Sequence, residues 1–371
     1  MFDIFNIFYI LIIFLIVRRL YKIKYIYFLF LLVHLFSIFL FNGFLFQASY
    51  MPDQFKYLEV AQNIRNFDFF DENNFSSGMT VYLSGAFFGL FPIPFISSLY
   101  SIAMINFMLY LIIFVFMYNK DFFNSKFIIW FYILYPSLGF YSSLSLRDML
   151  IFFIMFYLVY YLIIKMNYYY CLVFSLCLWY IKFQNLAFIL SSFIISLFKL
   201  KLIYFIIFVT LFLIFYFGFG DVLVEKINEI RYLFYLEQRF TVLDANKLIP
   251  ITFFDMLIHA PYNFLLILFK PLIWEEYGIF KIFQFIENST IFVIILYIVY
   301  LKIKFRLWNS REVKFLNYLL VISTVIYGTV LFNSGTIVRY KFPIITIYIV
   351  YSWYFIYQAK QLHKENKQCA E

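Results

Sequence analysis

The chain has 371 residues, of which 65 % are hydrophobic and only 13 % are charged. A soluble globule cannot bury so much apolar surface and still present a polar exterior, so this composition excludes the water-soluble classes. For a chain in a membrane, the formal net charge of +9 raises the question of how the charged residues divide between the two sides of the membrane. Nucleic acid is not an expected partner.

Eleven segments are apolar enough to cross a bilayer, which takes roughly 20 residues. They are 2–17, 26–46, 99–118, 127–143, 149–165, 168–181, 186–198, 202–218, 289–302, 316–334 and 342–358. Two more apolar stretches, 79–97 and 261–273, contain prolines, and we expect them to be re-entrant or interfacial. The sequence thus predicts an all-α polytopic membrane protein with about 11 transmembrane helices, built as a single integral membrane domain over 1–371.

The basic residues predict the orientation of these crossings. Eleven crossings place 17 of the 29 Lys and Arg, but only 4 of the 20 Asp and Glu, on one side. By the positive-inside rule this side is cytoplasmic, so the N-terminus lies outside and the C-terminus inside. Both long polar segments then face outward: a first outer loop over 47–98 with amphipathic and interfacial helices, and a large outer loop over 219–288 with a re-entrant segment.

The first outer loop predicts an amphipathic helix after Pro52. Its apolar residues recur every three positions, at Phe55, Leu58, Ala61 and Ile64, which is typical of a helix lying on a membrane surface. Asp53, at the start of this helix, is either a helix N-cap or a carboxylate acting as a general base.

Two clusters follow at predicted outer helix ends. Arg147 and Asp148 open the segment 149–165, where a cation opposes the helix dipole and so indicates a nearby anion: Asp148 itself or a ligand phosphate. Lys182, Gln184 and Asn185 separate two apolar segments. They line a cavity, or Lys182 is a simple interface lysine.

The C-terminal half carries three further candidates. Arg339 and Lys341 precede the last crossing, where they bind a phosphate or, with Tyr340, anchor the chain at the interface. Trp274 ends a proline-flanked stretch and either stacks on a sugar or belongs to the aromatic belt of the membrane. The sequence has no Cys-x-x-Cys or Cys/His cluster, so we expect no metal and no cofactor.

Four cations from distant parts of the chain are therefore predicted on one membrane face: Arg147, Lys182, Arg339 and Lys341. The head group of a membrane lipid lies at this depth, so their shared position favours a lipid phosphate or diphosphate as ligand.

In these features the chain resembles the polytopic glycosyltransferases of the GT-C type and the related O-antigen and exopolysaccharide polymerases of bacteria. The resemblance rests on four short motifs that span the whole chain. They are Asp53 in a first outer loop, Tyr135-Pro136 followed by Arg147-Asp148, the Pro271 to Trp274 element, and Arg339 to Pro343 before the last helix. The lack of a second acidic residue beside Asp53 favours a compact metal-independent enzyme or a polymerase.

The resemblance implies glycosyl transfer from an undecaprenyl-diphosphate-linked saccharide in the inner membrane of a bacterium. It assigns proton acceptance to Asp53, with Glu59 as the alternative, and stabilisation of the leaving phosphate to Arg147, Arg339 and Lys341. Tyr57, Tyr340 and Trp274 would contact sugar rings. Besides the substrate and the bilayer, a chain-length regulator is an expected partner.

Two alternatives to a polymerase stay open. One is a GT-C monosaccharide transferase that uses an undecaprenyl-phosphate sugar. The other belongs to a different class, a flippase or transporter for lipid-linked oligosaccharides. Transporters carry cations midway along their helices, whereas here the charges collect at helix ends, so the sequence favours an enzyme.

Overall fold

In a computed structural model of the protein, the residues described are 2–47, 51–120, 125–197, 222, 224–233, 251–272, 278–331 and 334–368. These residues form fifteen α-helices, a π-helical turn at Tyr161–Lys165 and a 3-10 helix at Leu307–Asn309, and no β-strand. Contacts divide the chain into two compact units, Met1–Ala187 (unit 1) and Phe188–Glu371 (unit 2). The protein is an all-α membrane protein: six of the described helices are long and apolar enough to cross a membrane.

Unit 1 contains ten helices, the last of which runs on into unit 2. They are α1 Phe2–Tyr21, α2 Tyr25–Phe41, α3 Asp53–Arg65, α4 Glu72–Phe75, α5 Met79–Leu90, α6 Leu99–Asn119, α7 Lys126–Leu134, α8 Pro136–Ser143, α9 Asp148–Tyr160 and α10 Tyr168–Leu197.

Unit 2 contains five more helices. They are α11 at 224–233, α12 Phe253–Phe269, α13 Ile279–Lys304, α14 Arg311–Val330 and α15 Ser334–Gln368.

The predicted crossings and the observed helices agree best where an apolar run is long and unbroken. The predictions at 2–17, 99–118 and 149–165 correspond to α1, α6 and α9 with its π-helical extension to Lys165. The prediction at 127–143 is split into α7 and α8, because Pro136 cannot continue the helix before it. The predicted crossing at 202–218 lies outside the described residues.

The predicted break between the segments 168–181 and 186–198 is a kink at Lys182, and the chain is helical on both sides of it within α10. Within α10 only Lys182 departs from helical geometry, with φ −156° and ψ 75°. Each half of α10, at 1.5 Å per residue, is about 20 Å long and shorter than the roughly 30 Å hydrocarbon core. As two crossings, the halves would depend on flanking residues that snorkel to the interface.

In unit 1, α1, α6 and α9 run in the same direction. Side chains at the starts of α1 and α6 meet, since Asp3 accepts hydrogen bonds from Ser98 and Ser101 at 2.9 and 3.0 Å. Asn106 of α6 bonds to the segment that precedes α9. We call this the polar end of unit 1. At the opposite, basic end lie the chain segments with Arg18, Lys22, Lys24, Lys120, Lys126 and Lys165.

The helix α3 packs against α5 instead of lying alone. Its buried apolar residues are Tyr57, Val60, Ala61 and Ile64, whereas Phe55 is exposed and Leu58 is partly buried. The predicted apolar face therefore shares Ala61 and Ile64 with the face that packs on α5. A Cβ atom on Gly85 or Gly89 of α5 would approach Val60 or Ile64 to within 3 Å. Two glycines thus allow this close helix pair.

Unit 2 also has a basic end. Lys302, Lys304, Arg306, Arg311, Lys314 and Lys360 lie there. At the other ends of α13 and α15, Asn288 and Lys341 bond to the carbonyl groups that end α12.

Candidate functional site

The polar end of unit 1 brings two of the predicted catalytic segments together. Gln54 Oε1 accepts a hydrogen bond from the backbone N–H of Ser145 at 3.2 Å. Asp53 precedes Gln54, and Arg147 lies two positions after Ser145. The sequence patterns around Asp53 and around Arg147 independently predict the same membrane face, and this bond connects the segments that carry the two residues.

A network of buried amides and hydroxyls fixes the backbone before Arg147. Asn106 Nδ2 donates to the carbonyl oxygens of Leu144 and Leu146 at 2.6 and 2.7 Å. Asn42 Nδ2 donates to the Ser143 carbonyl at 2.6 Å. Because buried carbonyls are costly to leave unpaired, these two amides hold the segment 143–147 in one conformation.

Arg147 is the N-cap residue of α9, and Asp148 is the first residue of that helix and is buried. Nη1 of Arg147 is itself buried and has no hydrogen-bond partner among the described residues. A buried guanidinium donor without an acceptor is unfavourable. The position is therefore suited to an anion from outside the chain, since the planar guanidinium fork binds oxyanions such as phosphate.

The other candidates of the first outer loop differ in exposure. Asp53 is exposed at the first helical position of α3, and the N-cap is Pro52, so the alternative of an Asp53 N-cap was wrong. Glu59 forms an exposed ion pair with Lys56 at 3.5 Å. Tyr57 is fully buried against Phe88, so its ring packs between helices.

The polar residues around Lys182 differ in how far they are buried. Gln184 is exposed, whereas Asn185 is buried and donates to the sulfur of Met155 at 3.1 Å. Lys182 itself is partly buried at the non-helical position of α10. Their predicted role in lining a substrate cavity stays a prediction.

In unit 2, Lys341 is almost fully buried and its ammonium contacts backbone oxygens. Nζ donates to the carbonyls of Ile267 and Lys270 at 3.0 and 2.9 Å. These carbonyls end α12, where a cation complements the helix dipole. Tyr340 packs against Tyr327 and Arg339 is partly buried, while Trp274 lies outside the described residues.

Unit 2 also has an open cavity of about 260 Å³ that no sequence pattern above predicted. Its polar lining comes mainly from α12, with Asp255, His259 and Asn263 spaced four residues apart, and from Arg231 of α11. Hydrogen bonds from the backbone and side chain of Thr252 lower the pKa of Asp255. The signal that could have revealed this cavity is the polar i, i+4, i+8 stripe on an otherwise apolar helix.

No group of three or more His, Cys, Asp and Glu side chains in the described parts of the chain could hold a metal ion. Protein-family models, curated proteins and solved structures were compared with this chain, and none of them matches it.

Proposed function

We propose that this chain is a membrane glycosyltransferase that polymerises undecaprenyl-diphosphate-linked oligosaccharide units at the outer face of a bacterial inner membrane. It would have eleven crossings in a GT-C-like arrangement, with its N-terminus outside and its C-terminus in the cytoplasm. The observation that carries the proposal is the buried Nη1 of Arg147, which has no hydrogen-bond partner in the described part of the chain. A lipid diphosphate supplies the oxyanion that this group lacks.

The reaction proposed is displacement at the anomeric carbon of the donor sugar. An acceptor hydroxyl attacks this carbon, and Asp53 takes the hydroxyl proton. The bond from the anomeric carbon to the diphosphate oxygen breaks, and its electron pair stays on the leaving diphosphate. Arg147 stabilises the charge that grows there. The hydrogen bond between Gln54 and Ser145 supports this pairing of base and cation.

Among the residues of unit 2, Arg339 keeps its proposed role of binding phosphate. For Lys341 the proposal changes, because its ammonium already contacts the carbonyls that end α12. We assign it to holding α12 in place.

One observation favours the transporter alternative. Lys302 is a fully buried cation in the last turn of a candidate spanning helix, and buried cations in such helices often mark transport pathways. Its Nζ, however, donates to Asn317 at 2.8 Å and lies 4.1 Å from the ring centroid of Tyr348. These contacts support a role in joining α13, α14 and α15, so the enzyme remains our proposal.

The decisive experiment replaces Arg147 and measures surface polysaccharide. We expect Arg147→Ala to abolish the ladder of extended chains while the protein still accumulates in the membrane. Arg19→Ala, at the exposed basic end of unit 1, is the matched control and leaves the ladder intact. A wild-type ladder in Arg147→Ala would contradict the proposal. Loss of the first sugar together with every longer chain would favour the monosaccharide transferase.

A second experiment tests Asp53 as the base. Asp53→Asn keeps the size of the side chain and removes its basicity, so we expect chain extension to fall as strongly as in Arg147→Ala. Glu59→Gln is the comparison variant. If Glu59→Gln abolishes extension and Asp53→Asn does not, the base is Glu59.

Orientation can be tested with single cysteines in a variant without the native ones. Ser97 is exposed at the polar end of unit 1 and Lys24 at the basic end. A membrane-impermeant maleimide added to intact spheroplasts should label Ser97→Cys and not Lys24→Cys. The reverse result would invert the proposed topology.

A further inference from the structure

The cavity of unit 2 is an open groove along one face of α12. Its α12 lining runs from Asp255 through His259 and Asn263 to Lys270. Fifteen residues of helix correspond to about 22 Å. A groove of this length with a volume of about 260 Å³ has a small cross-section, so an extended ligand fits it better than a compact one.

The lining combines several kinds of polar group with apolar side chains. Asp255 supplies a carboxylate, His259 an imidazole and Asn263 an amide, and Met256 and Leu266 lie between them. Sugar hydroxyls both donate and accept hydrogen bonds, so they match a lining that holds a carboxylate, an imidazole and an amide beside the cations Arg231 and Lys270. A hydrocarbon chain would offer these polar groups no hydrogen bonds.

The walls of the groove are fixed before any ligand binds. A Cβ atom on Gly328 of α14 would lie 2.4 Å from the backbone oxygen of Asn263, so α12 and α14 are in direct backbone contact there. Asn263 Nδ2 also donates to Thr329 at 3.0 Å. Lys341 and Asn288 fix the far end of α12. A preformed groove loses little conformational entropy on binding.

From this arrangement we propose that the α12 groove holds several sugar units of the saccharide chain. The inference rests on the proposed function and names the place where the growing glycan lies. Sugar units held along α12 would slow release of the glycan between additions. The groove therefore sets how long the chains become, whereas Arg147 and Asp53 decide whether any bond is formed.

The test fills the groove with one bulky side chain. His259 lines it, whereas Ile258, next in sequence, is exposed and does not. We expect His259→Trp to shift the surface polysaccharide to shorter chains, and the matched control Ile258→Trp to leave the distribution unchanged. If the Trp variant does not accumulate, His259→Ala removes the imidazole with less disturbance and should also shorten the chains.

A binding measurement separates this inference from the proposed function. The full chain in lipid nanodiscs is titrated with oligosaccharide released by mild acid from the strain's own surface polysaccharide. We expect His259→Trp to weaken binding by about tenfold and Arg147→Ala to leave it nearly unchanged. Normal chain lengths and normal binding in His259→Trp would overturn the groove even if Arg147→Ala abolishes extension. A normal ladder in Arg147→Ala would instead overturn the proposed function.

Discussion

In unit 1, the amides of Asn42 and Asn106 donate to nearby carbonyl groups, and the small cavity beside Asn42 and Gln54 measures about 10 Å³, the space of one water molecule. Unit 2 holds a groove of about 260 Å³ along α12. Unit 1 therefore uses buried amides to fix its own backbone before Arg147, whereas in unit 2 Asp255, His259 and Asn263 line an open groove. The first arrangement suits chemistry on a charged group, and the second suits binding of a chain.

The largest effect, a loss of protein from the membrane, should come from disturbing the contact between α12 and α14 at the groove. Gly328→Ala places a methyl group against a backbone oxygen, which no change of rotamer relieves, so we expect the protein to be lost from the membrane fraction. In unit 1, a methyl group on Gly85 meets side-chain atoms of Val60 instead. Val60→Gly should therefore restore part of the accumulation lost in Gly85→Ala, measured by quantitative blotting of membranes. Normal levels of Gly328→Ala would show that α12 and α14 move apart easily.

In each unit, one cationic side chain bonds to the carbonyl groups at the end of a helix. Removing these two cations should give the next largest effect, a loss of thermal stability that differs between the units. Lys341 bonds to the carbonyls that end α12. Arg65 bonds to the carbonyl of Gly89 at the end of α5 and to those of Phe91 and Ile93 just after it. Hydrogen bonds to a charged group contribute about 1.5–3 kcal/mol, and Lys341 is 2 % exposed whereas Arg65 is half-buried. Lys341→Met should lower the melting temperature in detergent more than Arg65→Met. An equal loss would mean that burial does not govern these contacts.

The amide network of unit 1 should give a smaller loss of stability and a clear loss of activity. Asn106→Leu leaves the carbonyls of Leu144 and Leu146 without their donor, at about 1–3 kcal/mol. The segment that presents Arg147 then loses its fixed conformation, and extension of polysaccharide should fall with it. Ile112→Ala, on an exposed part of the same helix, is the control. Wild-type polysaccharide extension in Asn106→Leu would show that activity does not depend on the amide network.

The smallest effect should be a change in the stability of unit 2 at low pH. Hydrogen bonds from Thr252 lower the pKa of Asp255 below its usual 3.8, so the ionised carboxylate stabilises α12 above about pH 4, and this contribution is lost as the pH falls through the lowered pKa. Asp255→Asn should therefore melt below wild type at pH 7, and the difference should shrink at pH 3 to 4. A difference that grows on acidification would contradict this sign.

Much of the architecture could be predicted because lipid acts on every residue of a spanning helix. The helices α1, α6 and α9 follow from long apolar runs that end at polar or charged residues. The packed face of α3 only partly matches the predicted apolar face, because a spacing of three positions drifts around a helix of 3.6 residues per turn. The break before Pro136 follows from proline geometry, and a stricter use of that rule would have predicted it.

The contacts of the candidate site were harder to predict. The partners of Lys341 are backbone oxygens more than 70 residues away, and every residue type has such an oxygen, so no sequence pattern marks them. The charge of Arg147 against the helix dipole did single it out. Asn42 and Asn106, whose amides fix the position of Arg147, could not be singled out from the sequence, because a polar residue in an apolar run has no distinctive signature.

The contact between α1 and the chain before α6 also bears on the order of biosynthesis. The amide of Asn6 donates to the carbonyl of Phe95 and accepts from its N–H at 2.8 and 3.1 Å. The ribosome makes Phe95 89 residues after Asn6, which takes about 5–20 s at roughly 5–20 residues per second. During that interval α1 has no docking partner from its own chain for this amide. The insertion machinery or the lipid interface must therefore hold the first helix until the chain reaches α6.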